Sequence, residues 1–340
     1  MESLSSDIRE LYEKRLWHEL TERLLLLDSH SISNIWPSIS AFREKLNQSK
    51  LVLLAIKATD EQDPDTAKVF LENLQLQDSQ ASLLLKIAIS SQYLRIGSPQ
   101  EAQVLLEEAL KAVDKENDLD SIIYSHLYGA LSNLYKVKAN PELFYKYSLQ
   151  YLAYTPQNEV KEPEELAYRL AIAVLIAETV YNLGELINQP VLKSLENSKN
   201  AWLYELLHLC NEGKVREIEN MIVGLPDELK TPALLRKVKI LAMMEYVFTS
   251  GKKVLGFEEL SQIMNVRENE IEHLVMKAMA LGLVKGEIDE VDKIITVNWL
   301  QPRVLDQSRI STLNSRLTEW KKTIKNVLSH LENQSKELLE

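Results

Sequence analysis

Three dipeptides constrain the first half of this chain: Asp63-Pro64, Ser98-Pro99 and Asn140-Pro141. Each sets a side chain that can cap a helix just before a proline, whose missing N–H costs nothing at the first helical position. Each is expected to begin a helix, and the starts lie 35 and then 42 residues apart. Ser98-Pro99-Gln100-Glu101 also reads as a complete capping box. Helical patterns over 83–96 and 121–137 precede two of the starts, so the unit is a helix–turn–helix hairpin at solenoid spacing. Segment 100–113 shows the apolar stripe, with Ala102, Leu105, Leu106, Ala109, Leu110 and Val113 on one face. Further hairpins are expected over 164–182 with 186–195 and over 201–211 with 215–223, with Gly184 and Gly213 where helices stop. One hairpin cannot bury both its faces, so stacking of neighbours must create the core. The expected fold is mainly α, with a right-handed, TPR-like helical-hairpin solenoid over 1–232.

The pattern changes after Gly224-Leu225-Pro226 and Thr231-Pro232. A helix over 233–249 leads to a strand near Leu255, helices over 257–264 and 267–281, and a two-stranded ribbon over 283–300. That order is a winged helix with a small antiparallel sheet, assigned to 233–303. Its second helix opens with Glu268, Glu270 and Glu272, where a helix reading DNA needs Arg, Lys, Asn or Gln. Residues 234–306 carry ten Lys and Arg against eleven Asp and Glu, so no net field draws a polyanion. This winged helix is expected to bind protein. The strand residues Val284, Ile288, Ile295, Val297 and Trp299 are its candidate lateral contacts.

A long helix is expected within the last segment, 304–340. Ile310, Leu313, Leu317, Trp320, Ile324, Val327 and Leu331 alternate spacings of three and four, which is the a/d seam of a heptad. Burying seven such side chains would gain on the order of 10–20 kcal/mol gross. A seam of that size is expected to find helical partners, and Trp320 suits a groove among several helices better than a two-stranded coil. The other reading is that the helix folds back on its own winged helix.

Little supports chemistry. The formal charge of −11 disfavours nucleic acid or an anionic membrane as the main partner. The most apolar window, 171–177, is too short to span a bilayer, and the polar start lacks the pattern of a signal peptide. One cysteine, Cys210, precludes an internal disulfide and reads as a buried thiol on an apolar helix. His18, His30, His126, His208, His273 and His330 show no zinc-ligand spacing. Gly251-Lys252-Lys253 lacks the rest of a phosphate-binding loop and reads as a turn. No catalytic residue, metal or cofactor is expected. Tyr124, Tyr128, Tyr135, Tyr145, Tyr147, Tyr151 and Tyr154 read as hairpin core rather than a peptide groove.

The succession of helical hairpins, neutral winged helix and terminal helix resembles a PCI domain. Within that group, several stretches are similar to the 26S proteasome non-ATPase regulatory subunit 13 family. They include Tyr168-Arg169-Leu170-Ala171, Tyr181-Asn182-Leu183-Gly184-Glu185-Leu186, Glu272-His273-Leu274-Val275-Met276, Leu281-Gly282-Leu283-Val284-Lys285-Gly286 and Val297-Asn298-Trp299-Leu300-Gln301-Pro302-Arg303. Tyr12-Glu13-Lys14-Arg15-Leu16-Trp17-His18-Glu19-Leu20 resembles the family's opening helix, before which members usually carry further residues. The resemblance implies a non-catalytic scaffold of the regulatory-particle lid, in the cytoplasm and nucleus. It implies winged-helix sheets joined edge to edge with other PCI subunits, a terminal helix in a bundle shared with PCI and MPN subunits, and solenoid contacts that include a ubiquitin receptor. A sister complex (signalosome or translation initiation factor 3) is the alternative, and a nucleic-acid binder a weaker one.

Overall fold

A proline can begin a helix without a working cap before it. Asp63, Ser98 and Asn140 all stand at N-cap positions with proline first in the helix, yet only Asn140 closes the bond, its Oδ1 accepting from Leu143 N at 3.2 Å. The expected capping box at Ser98 does not form. Gly97 ends the preceding helix at φ +92, and Ser98 N donates back to Tyr93 O at 3.0 Å. One residue thus closes one helix while opening the next, and its side chain makes no cap bond to the new helix.

The computed structural model describes residues 6–40, 43–60, 62–74, 76–115, 119–160, 162–196, 198–222, 224, 226, 229–304 and 307–339, in two units, Met1–Glu162 and Pro163–Glu340. The first unit holds α1 (Ser6–Glu13), α2 (Trp17–Leu25), α3 (Ser29–Ser40), α4 (Gln48–Thr59), α5 (Pro64–Glu72), α6 (Ser79–Ile96), α7 (Pro99–Val113), α8 (Ser121–Val137) and α9 (Pro141–Tyr154). The expected opening helix through residues 12–20 is broken, because Arg15 takes φ +54 between α1 and α2. Helix α4 shows why the hairpins need one another. Its Leu51, Leu54 and Ala58 join one core with Leu20, Leu24 and Ile39, while its Val52 joins a second with Leu84, Leu106 and Leu127. On α7, Ala102, Leu106, Ala109 and Val113 are buried, with Leu105 and Leu110 at the margin. Helices α8 and α9 are pinned by a buried bond between the hydroxyls of Ser132 and Ser148, 2.7 Å. The half-buried rings of Tyr124, Tyr128, Tyr135 and Tyr147 pack on that core, with Tyr135 and Tyr147 stacked at 5.4 Å.

The second unit holds α10 (Pro163–Ile176), α11 (Gly184–Ile187), α12 (Ala201–Glu212), α13 (Val215–Ile222), α14 (Pro232–Ser250), β1 (Val254–Gly256), α15 (Phe257–Met264), α16 (Glu268–Ala280), β2 (Val284–Asp289), β3 (Ile294–Leu300) and α17 (Gln307–Leu339). The expected hairpin 164–182 with 186–195 is replaced. Helix α10 stops at Ile176, and its partner is α11 followed by the 3-10 segment Pro190–Leu195. The stop has a cause in α14. Buried Lys237 donates Nζ to Val174 O at 2.5 Å and to Ala177 O at 2.6 Å, taking carbonyls that the end of α10 leaves open. Its ammonium also sits 5.4 Å from the Tyr181 ring centroid. Gly184 starts α11 rather than ending a helix.

Gly213, by contrast, ends α12 at φ +73, and a Cβ there would meet Ala242 Cα of α14 at 2.8 Å. Gly213→Ala is therefore expected to cost about 2–4 kcal/mol, adding left-handed strain to overpacking. Urea unfolding of the full chain checks this, and a loss below about 1 kcal/mol would show that α12 and α14 need no such close approach.

Candidate assembly surfaces: the wing edge and the terminal helix

Three turns in the winged helix use a glycine or asparagine suited to a left-handed backbone. Gly251 ends α14 at φ +64, Asn265 ends α15 at φ +49, and Gly282 follows α16 at φ +71. The turn at Gly251 is the one expected where a phosphate loop was discounted. Ile271, Leu274, Val275 and Ala278 face inward from α16, leaving Asn269, Glu270, His273 and Met276 exposed. Glu268 pairs with Lys293 of the β2–β3 turn at 2.8 Å. The outward face of this helix presents no row of cations to phosphates.

The sheet runs β1-β3-β2, all antiparallel. Strand β3 is central, and β2 is an edge that pairs, among the described residues, with β3 alone. Along β2 the exposed side chains are Lys285, Glu287 and Asp289. Of the five candidate contacts, Val284, Ile295 and Val297 are buried in the domain's own core, Ile288 is half-buried, and Trp299 is exposed, with Lys285 Nζ 5.0 Å from its ring centroid. The structure thus does not gather the five on one outer surface: three hold the sheet to its helices. What β2 offers outward is backbone, a row of N–H and C=O groups able to take another strand. A bulge shapes this edge, since Lys285 pairs with Trp299 and Gly286 with Val297, passing over Asn298. Gly286 is required there, because a Cβ would fall 2.0 Å from Thr296 O.

Helix α17 brings the whole seam onto one stripe and covers none of it. Ile310, Leu313, Leu317, Trp320, Ile324, Val327 and Leu331 are 46–65 % exposed, and Leu328 beside them is 53 % exposed. The fold-back reading is overturned, for no seam residue is buried against the body of the unit. An apolar stripe of this length facing water is unusual for a chain that works alone.

Sequence reasoning missed how the strap 301–304, between β3 and α17, is held. Gln301 N donates to Leu283 O at 2.8 Å, and Val304 N to Asn182 Oδ1 at 3.4 Å. Arg303 reaches three groups: Glu245 of α14 at 2.5 Å, and the backbone and side-chain oxygens of Asn211 of α12 at 3.1 and 2.7 Å. A lone arginine after a strand leaves no periodic trace, and Gln301-Pro302-Arg303 drew notice only as part of a resemblance.

Comparison with known proteins identifies the relatives of this chain. Residues 4–207 match the family model for PSD13 N-terminal repeats, and 218–299 match the PCI domain. The 26S proteasome non-ATPase regulatory subunit 13 of Dictyostelium discoideum is 32 % identical, covering 98 % of this chain and 94 % of the relative. The 26S proteasome regulatory subunit RPN9 of Saccharomyces cerevisiae is 30 % identical over 93 % of this chain and 89 % of its own length. Eukaryotic translation initiation factor 3 subunit M of Dictyostelium discoideum is 27 % identical over 61 % of this chain and 53 % of its own.

Cys210 lies fully buried on α12, where burial pushes its thiol up to about 12, against a smaller opposing pull from Lys237. A thiol raised on folding adds stability that is complete below its ordinary value and fades as pH climbs toward 12. The native chain is therefore expected to resist iodoacetamide at about pH 8 and to react after denaturation. Rapid alkylation of the folded chain, followed by mass spectrometry, would contradict this placement.

Proposed function

Because this chain belongs to the 26S proteasome non-ATPase regulatory subunit 13 family, we propose that it is a non-catalytic scaffold subunit of the regulatory-particle lid, serving lid assembly and ubiquitin-dependent degradation. The observation that carries the reading is the uncovered seam of α17, seven apolar side chains on one stripe of a 33-residue helix. Covering it requires other helices, and Trp320, the most exposed of the seven, fits a bundle of more than two. In this reading residues 304–340 enter a bundle with PCI and MPN subunits of the lid, and 233–303 joins a neighbouring PCI subunit along the edge of β2. The repeats over 1–232 supply contacts to other particle components, a ubiquitin receptor among them. Such a subunit works in the cytoplasm and nucleus, and among the described residues no helix is long and apolar enough to cross a membrane.

Membership of a translation initiation factor 3 complex is the second reading, favoured by the likeness to its subunit M. That likeness is shorter and weaker than the one to the proteasome subunits.

Replacing Leu317 and Ile324 together by Asp is expected to leave the helical repeats and winged helix folded, because neither side chain touches their cores. The same change should abolish incorporation into the lid, since a carboxylate in a bundle core is strongly disfavoured. Co-purification with tagged lid subunits, followed by mass spectrometry, is the check. Wild-type incorporation of the double variant would sink the seam as the assembly element. Recovery of initiation-factor subunits instead would move the chain to the sister complex.

A further inference from the structure

The strap 301–304 joins two elements that the proposed function uses together, the wing sheet and α17. We infer that Arg303 is a positioning residue for assembly: it fastens the strap so that the β2 edge and the root of the terminal helix are held at one spacing. This rests on the reading that both elements bind lid partners. The fastening is built from the inside. The Arg303 and Glu245 side chains are 5 % and 12 % exposed, so the guanidinium is withdrawn from water onto a carboxylate and two oxygens of Asn211. Its planar fork satisfies α14 with one nitrogen and α12 with another, a geometry a lysine cannot copy.

The strap's other ties complete the arrangement. Gln301 N binds Leu283 O, the residue immediately before β2, so the strap is registered to the edge strand itself. Val304 is received by Asn182 Oδ1 and by Gly184, where a Cβ would stand 3.2 Å from Val304 Cβ. The last described residue before α17 is thereby seated on the α10–α11 connection. Two weak contacts on one chain reinforce each other only when their separation matches that of their sites, and a fixed strap keeps that match. Releasing it leaves both contact surfaces intact while reducing the benefit of linking them.

The test compares wild type with Arg303→Met and with Arg303→Met combined with Glu245→Leu. The second variant removes both charges, so that no carboxylate is left buried without a partner. Hydrogen exchange is followed in peptides covering 300–304 and β3, and affinity is measured for a reconstituted lid lacking this subunit. In a variant that folds, strap amides should exchange at least about tenfold faster while β3 stays protected, and lid affinity should fall about tenfold or more. Unchanged strap exchange would overturn Arg303 as the fastening. Faster strap exchange with unchanged affinity would overturn its role in assembly. If the single variant does not fold, the double variant decides by the same two readings. The Leu317→Asp, Ile324→Asp variant separates this from the underlying function: it should lose the lid with strap exchange at the wild-type rate.

Discussion

Among the described residues, helices such as α4 have more apolar surface than one hairpin can cover, and that excess organises the rest of the fold. In the first unit the excess is resolved internally. Helix α4 gives Leu51 and Leu54 to one core and Val52 to the next, so each hairpin serves as the wall of its neighbour. In the second unit Leu206, Leu207 and Cys210 of α12 and Val238 and Leu241 of α14 are likewise buried. Helix α17 obeys the same rule, but among the described residues nothing covers its seam. In the proposed scaffold role that demand for burial is met by other molecules.

Polar groups decide where the apolar layers stop. Lys237 takes two carbonyls at the end of α10, and Arg303 joins the C-terminal end of α12 to α14 and to the strap. A buried cation of this kind is costly unless its hydrogen bonds are met, and in both places carbonyl, amide or carboxylate oxygens meet them. The same economy appears in backbone form at Gly286, where a missing side chain lets the edge strand accommodate the extra residue Asn298 of β3.

Much of this was legible in the sequence. Periodicity located the helices and the seam, because a helical stripe repeats and announces itself several times. The winged helix was legible from the order of its elements, a strand near Leu255, two helices and a two-stranded ribbon. What escaped depended on single residues acting across long separations. Nothing local in 164–182 says that Lys237, some sixty residues on, will end α10 at Ile176. Ser98 looked like a cap but was already committed to closing α6. The five strand residues were chosen for being apolar, and that property sent Val284, Ile295 and Val297 inward, leaving the edge to the backbone. The acidic start of α16 lies where it was expected, with Glu270 exposed and Glu268 paired with Lys293.

Partner helices must cover the seam of α17 if this chain is the scaffold proposed. Hydrogen exchange over 310–331, measured in the free chain and in the chain assembled into the lid, addresses this directly. Burial in a shared bundle predicts ready exchange in the free chain and strong protection after assembly, centred on Leu317, Trp320 and Ile324. Equal exchange in the two states would mean that the seam stays in water within the particle, and the scaffold mechanism proposed for this helix would be wrong.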